Sequence, residues 1–224
     1  MTLTRTQAKT FYDRFGSKQD SQSFYEDKAL DELIAHADFA HAHKLFELGC
    51  GTGRFALRLL TSQLPSDATY LGMDLSDTMI ALARQRLVPY ASRASVVLSN
   101  GDMQFPLRDQ SVDRVIATYV FDLLSDADMQ QAIREVRRVL LPGGKLCLVS
   151  LTLGVTAVSR LVSGAWSALF RRLPGLVGGC RPLSLGGYLE PGVWRREYRR
   201  ILIPFGVPSE VLILAPVADS LARI

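Results

Sequence analysis

Cysteine is scarce in this chain. Only Cys50, Cys147 and Cys180 occur in 224 residues, with neither a C-x-x-C pair nor a metal-ligand spacing among them. A disulfide-stapled scaffold and a zinc module are thereby excluded; no metal is expected, and the thiols read as reduced and structural in a cytoplasmic protein. Histidine is equally rare, and His36, His41 and His43 all precede residue 44. A catalytic histidine would have to come from that leading segment. Met1 to Asp20 are polar and carry no apolar signal-peptide core, which argues against secretion. Internal repeats are absent. From Leu146 to Phe170 the only charge is Arg160, a run long enough to span a bilayer. Pro142–Gly143–Gly144 before Leu146–Cys147–Leu148–Val149 reads instead as a turn into a buried strand, with a separate helix after it.

With 48% hydrophobic residues the chain can bury one sizeable core, and one domain over residues 1–224 is expected. The net charge of +4 is too small to argue for a nucleic-acid partner. The charge is unevenly placed, however. Eight arginines between positions 160 and 200 face only Glu190 and Glu197 over the same span.

The most informative stretch is Lys44–Leu45–Phe46–Glu47–Leu48–Gly49–Cys50–Gly51–Thr52–Gly53–Arg54. Leu45, Phe46 and Leu48 make a short buried strand, and Phe55, Ala56, Leu59 and Leu60 recur beyond it at helical spacing. Glycines at 49, 51 and 53 let backbone approach a ligand closely. The unpaired N–H groups of the following helix face the same space. The spacing is G-x-G-x-G, not the G-x-G-x-x-G of dinucleotide sites. Glu47, two residues before the first glycine, suits a ligand with an ammonium or hydroxyl better than a pyrophosphate, which disfavours a nicotinamide dehydrogenase.

A second strand, Thr69 to Met73, ends in Asp74, about twenty residues after the turn, where a carboxylate commonly accepts both hydroxyls of a ribose. Ser76 caps the helix carrying Met79, Ala83 and Leu87. Ser95 to Ser99 is a third strand leading to Asn100–Gly101–Asp102–Met103; Asp102 either accepts from an exocyclic amine or belongs to an ordinary turn. A fourth strand, Ser111 to Ala117, opens into Thr118–Tyr119–Val120–Phe121–Asp122. Ser125 and Asp128 form a capping box before a helix faced by Met129, Ile133, Val136 and Leu140, closed by Leu141–Pro142–Gly143–Gly144. A fifth strand runs from Lys145 to Leu151. This alternation predicts a doubly wound, mostly parallel α/β sheet. Two late strands, Arg199–Phe205 and Glu210–Leu214, form a hairpin. Ahead of the turn, Phe11, Tyr12, Phe15, Phe24 and Tyr25 either pin a leader helix to the core or form a lid.

In series, E-L-G-C-G-T-G, G-M-D-L-S, N-G-D-M and L-P-G-G-K resemble the motifs of class I S-adenosylmethionine-dependent methyltransferases, over roughly Leu45 to Leu151. The chain looks most like the small-molecule branch that includes the ubiquinone and menaquinone biosynthesis enzymes. The resemblance implies a Rossmann-like, seven-stranded sheet ending in an antiparallel hairpin, with a helical leader or lid at 1–43, a cofactor-binding core at 44–151 and a substrate-side segment at 152–224. It implies S-adenosylmethionine as cofactor, with Gly49, Cys50, Gly51 and Gly53 along its methionine portion and Glu47 near the ammonium. Asp74 would hold the ribose, Leu75 and Met79 would pack on the nucleoside, Asp102 would meet the adenine amine, and Met103 would flank the ring. Thr118 and Tyr119 would approach the sulfonium.

A carbon or oxygen nucleophile also needs a base. Asp122 stands where many relatives carry a histidine and is the first candidate; Tyr119 is the second, followed by Tyr12 and Tyr25. Thr118–Tyr119–Val120–Phe121 lacks the N/D-P-P-Y/F motif of the enzymes that methylate exocyclic amines of nucleic acids. No proline precedes a cysteine, as cytosine C5 chemistry requires. A small, hydrophobic or amphipathic acceptor is expected: quinol-like, a lipid or a natural-product ring. The apolar helix carrying Val158, Val162, Ala165, Trp166 and Leu169, edged by Arg160, Arg171 and Arg172, is a core helix, a pocket cover or a contact with the inner face of a membrane. A non-catalytic cofactor-binding protein of the same fold is the alternative function.

Overall fold

The computed structural model describes residues 2–189 and 192–217; Glu190 and the chain from residue 218 onward lie outside them. Strands β1 (Lys44–Leu48), β2 (Thr69–Asp74), β3 (Ala94–Leu98), β4 (Val112–Thr118) and β5 (Leu140–Leu151) are parallel. Strands β6 (Trp194–Leu202) and β7 (Ser209–Pro216) run antiparallel to their neighbours, and the order is β3-β2-β1-β4-β5-β7-β6. The order reverses between β1 and β4, the crevice where open α/β sheets bind ligands. The fold expected from the motifs is therefore the one found.

Alternation along β1 sorts the core into two layers. Leu45 joins a cluster with Ala29 and Leu33 of α2 (Ser23–His36), Leu59 of α3 (Arg54–Ser62) and Ile80 of α4 (Asp77–Arg86). Phe46 and Leu48 join the opposite cluster, with Met129 and Val136 of α5 (Asp126–Val139). The leader divides in two. Its α2 is embedded in the first layer, whereas α1 (Arg5–Phe15) has no buried residue.

Two expectations need correction. The first strand of the hairpin begins at Trp194, not Arg199, because β6 is an edge strand carrying Arg195, Arg196, Arg199 and Arg200 and is broken by a bulge between Arg196 and Tyr198. Charges and bulges blunt exposed edges, and they also erase the apolar alternation by which strands are read. The partner β7 is buried throughout, and its Glu210 is met by Arg199 at 2.5 Å.

The second correction concerns α6 (Ala157–Arg172), whose polar side turns inward. Ser159, Ser163 and Phe170 are its buried residues, while Val158 and Leu161 are 64% and 75% exposed. Ser159 Oγ accepts from the backbone N–H groups of Val155 and Thr156, and Ser163 Oγ accepts from that of Gly154, so the serines fasten the helix to the turn before it. The uncharged run from Leu146 to Phe170 is divided between β5 and α6. Among the described residues no helix is long and apolar enough to cross a membrane.

Buried Arg114 of β4 donates from Nε to the Ala37 carbonyl at 3.0 Å and from Nη2 to the Asp38 carbonyl at 2.9 Å, tying the exit of α2 to the sheet. Arg114→Met should cost about 2–3 kcal/mol by stranding those acceptors. A fall in the urea midpoint at unchanged slope is the expected readout, and an unchanged midpoint would contradict this role.

Candidate functional site

The turn after β1 is built on left-handed glycines, with φ of 70° at Gly49, 51° at Gly51 and 74° at Gly53. A Cβ on Gly49 would lie 2.3 Å from the Val120 Cγ2, and one on Gly53 would lie 3.1 Å from Ala83 in α4. The first glycine thus admits the β4 loop, and the third lets α3 and α4 approach. Asp74 at the end of β2 accepts from Gly51 N–H and Ser76 N–H, both at 2.9 Å, and so binds this turn to the next one.

Two adjoining cavities open above the strand ends and share Gly49, Thr118, Tyr119 and Gln19 in their walls. One extends along Met73, Asp74 and Leu75 to Met103; the other extends to Glu47, Cys50 and Gly51. Of the twelve residues expected to hold the cofactor, nine therefore share one cleft: Glu47, Gly49, Cys50, Gly51, Asp74, Leu75, Met103, Thr118 and Tyr119; the base candidate Asp122 lines neither cavity. Three do not line it. Gly53 is a packing glycine, Met79 is buried at 1% exposure beneath α4, and the Asp102 carboxylate accepts from Gln104 N–H and Asn100 Nδ2 in a local turn.

Burial pushes three acids up to about 7: Glu47, Asp122 and, against the pull of Arg54, Glu26. Glu47 is 1% exposed, accepts from the Tyr70 hydroxyl, and is pushed up to about 7, chiefly by burial. Asp122 is fully buried and also raised to about 7 by burial. Neither of its oxygens has a hydrogen-bond partner, although the nearby N–H groups of Asp122 itself and Leu151 favour its charge. Its charge in turn helps to raise Tyr12, Tyr25 and Cys180. The pKa of Asp74 is raised by burial against the pull of its N–H donors. Tyr119 has a left-handed backbone (φ 56°), donates its hydroxyl to Ser209 Oγ at 3.0 Å, and is raised by burial, so its phenol stays protonated at neutral pH.

Of the leader's contribution, sequence reasoning found Tyr12 and the reading as a lid, and missed the rest. Leu3, Arg5, Ala8 and Tyr12 line the cavity beside Asp74, and Arg5 pairs with Asp128 at 2.8 Å across its wall. Gln19 reaches the glycine turn, where a Cβ on Gly51 would meet its Oε1 at 2.9 Å; that oxygen is buried without a partner. Polar ties hold the leader down. Asp13 accepts from Ser76 Oγ at 2.6 Å, and Asp20 accepts from Thr52 Oγ1 and Arg86 Nη2, each at 2.6 Å. The aromatic cluster was the one available signal, and it has a dual use. Tyr12 lines the cleft, while Phe11 and Phe15 stack at 5.4 Å and line an apolar groove against Val162, Trp166, Leu169 and Leu176. Tyr12 and Cys180 lie at the inner end of that groove, their Oη and Sγ 3.9 Å apart.

Residues 45–144 match the family model described as a methyltransferase domain. Over 138 residues the chain is 30% identical to the ubiquinone/menaquinone biosynthesis C-methyltransferase UbiE of Geobacter sulfurreducens, covering 61% of this chain and 51% of that one. Over 156 residues it is 30% identical to the demethylmenaquinone methyltransferase of Lactobacillus johnsonii, covering 69% and 59%. The chain thus spans little more than half the length of these curated relatives. Among solved structures, the mitomycin 7-O-methyltransferase MmcR superposes with a TM-score of 0.67 at 19% identity, over 88% of this chain and 55% of that one, a likeness of fold. Residues 45–144 are thus a methyltransferase domain, and the ordered motifs and the sheet order agree with those of the class I S-adenosylmethionine-dependent methyltransferases.

Proposed function

We propose that this chain transfers a methyl group from S-adenosylmethionine to a small hydrophobic or amphipathic acceptor: a quinol-like ring, a lipid or a natural-product ring. The observation that carries this reading is the apolar groove between α1 and α6, which ends at Tyr12, the residue it shares with the cleft. A flat or chain-bearing apolar molecule suits that lining, and a nucleic acid does not.

The cleft fits a nucleoside with an amino-acid tail. The glycine cradle admits backbone contact, Asp74 suits ribose hydroxyls, Met103 and Leu75 suit a base, and Glu47 suits an ammonium. Gln19, with its unpartnered buried Oε1, is added as a further polar contact from the leader. When bound, the cofactor supplies an activated, sulfonium-borne methyl group. The protein's own task is to orient the acceptor and keep water away, which the leader and α6 are positioned to do. Asp122, rather than Tyr119, takes the acceptor's proton. A carboxylate raised to about 7 is divided between acid and base near neutrality, as general-base catalysis favours.

Two measurements test this. Because Glu47 is raised to about 7 in the free protein, an ammonium can pair with it only after its proton leaves. Affinity for the demethylated cofactor should therefore fall as pH drops through 7, by roughly tenfold per unit below it, with proton release on binding. Calorimetric titration in buffers of different ionisation enthalpy reads both effects, and Glu47→Gln should flatten the profile. A flat wild-type profile would remove Glu47 from the site.

Asp122→Asn should keep cofactor affinity and lower turnover of a carbon or oxygen acceptor by roughly 10²–10⁴-fold. The same variant should be more stable than wild type at pH 8. A carboxyl with a raised folded-state pKa stabilises the fold below its unfolded value and loses that contribution as pH rises through 7. The gain should shrink toward pH 5. A variant that is stabilised yet fully active would make Asp122 a buried structural acid. Cofactor binding without turnover across an acceptor panel would leave the chain a binding protein.

A further inference from the structure

Among the described residues the outward face of α6 has no partner. Leu161 is 75% exposed, and the apolar surface continues past Val158 to Gly206, whose built Cβ would touch Val162 and Val158 at 3.4 and 3.8 Å. Beside Gly206 stands Phe205, 74% exposed and held at a φ of 52°, with Phe24 edge-on to its ring at 5.6 Å. Bulky residues avoid the left-handed region. Here one occupies it with its ring directed to solvent. Just past the C-terminal end of α6, Leu173 and Leu176 are also exposed. Soluble monomers seldom expose so continuous an apolar surface unless something covers it.

The charge around this face indicates what does. Arg160 and Arg171 lie about three turns apart along one edge of α6, with Arg172 beside them and Arg14 and Lys18 across the groove mouth. No acidic residue among the described residues pairs with any of these five cations, and none lies in the sequence between residues 157 and 189. A second copy of the chain related by a twofold axis would set this cationic rim against itself, so self-association is disfavoured. An anionic surface with an apolar interior complements both features.

We infer that α6, the Phe205 turn and the Phe24 ring seat this protein on a bilayer bearing anionic phospholipids. Leucines and aromatic rings enter the headgroup boundary, and the arginines meet the phosphates. The mouth of the groove, at Leu3, Phe11, Leu173 and Leu176, opens on the same face. Where the groove is the acceptor site, a reading this consequence rests on, an acceptor dissolved in the membrane can enter without crossing water. The docking itself does not need that reading.

The test uses the full chain with vesicles of phosphatidylcholine alone or mixed with phosphatidylglycerol, read by flotation. Binding is expected on the mixed vesicles, weaker on phosphatidylcholine, and weaker as salt rises. Arg160→Gln with Arg171→Gln should reduce the partition constant by roughly thirtyfold, and Leu161→Glu by at least roughly tenfold. None of these residues lines the cleft or groove, so affinity for the demethylated cofactor should not move. Absence of binding to either vesicle by protein that still binds the cofactor would overturn the inference. So would binding indifferent to all three substitutions, or a concentration-dependent dimer that Leu161→Glu abolishes in the absence of vesicle binding. Loss of cofactor binding by the wild-type chain would sink the methyltransferase reading and leave the vesicle result standing.

Discussion

The carboxylate of Asp74 holds the top of the sheet together. It takes one backbone N–H from the glycine turn and one from the turn before α4, and so fixes the ends of β1 and β2 relative to each other. The leader is anchored to the same place, since Asp13 accepts from Ser76 Oγ and Thr78 N–H. Remove the carboxylate and three segments lose their common reference. A binding cleft formed from loops of different strands depends on such cross-bracing, because loops have few apolar contacts to hold them. Asp74 is therefore a structural brace of the cleft.

Buried charge elsewhere in the site works against stability. Glu47 and Asp122 are acids in positions where burial opposes ionisation, and Asp122 has no hydrogen-bond partner, only the weaker pull of nearby N–H groups and the Arg181 charge. An unpartnered acid in a core would ordinarily be replaced by an apolar or amide side chain. Its charge also opposes ionisation of Tyr12, Tyr25 and Cys180, a cost to stability of the kind that proteins retain at functional sites. Tyr119 shows the same trade in the backbone, as a bulky residue held in the left-handed region between the two cavities.

Much of this architecture was legible in the residues. β1, β2 and β4 are short apolar runs bounded by turn chemistry, β5 adds residues 140–144, read as a helix end and turn, to the run from Lys145, and Glu47, Gly49 and Asp74 are placed by the strand ends that carry them. What escaped depends on tertiary context. Gln19 and Arg5 sit in a polar segment without periodic signal, and only the folded leader brings them over the cleft. Gly53 belongs to the motif, yet its contact is with Ala83, a helix away in the chain. Asp102 and Met79 follow the pattern in type, but a local turn claims the first and the core beneath α4 the second. The orientation of α6 could not be read from its periodicity, because Ser159 and Ser163 gain partners in the turn at 154–156 while the leucines gain none.

The placement of β7 bears on how the chain reaches its native state. This strand is buried along its whole length, yet it inserts between β5 and β6 and is the last strand among the described residues. During synthesis the five parallel strands emerge first, and the edge of β5 stays open, its backbone N–H and C=O groups unpaired, until residue 216 has left the ribosome. An exposed apolar edge of that kind is prone to pair with other chains. The arginine-rich β6 emerges just before β7 and ends as the outermost strand, so the nascent chain acquires its repulsive border immediately before the sheet is completed.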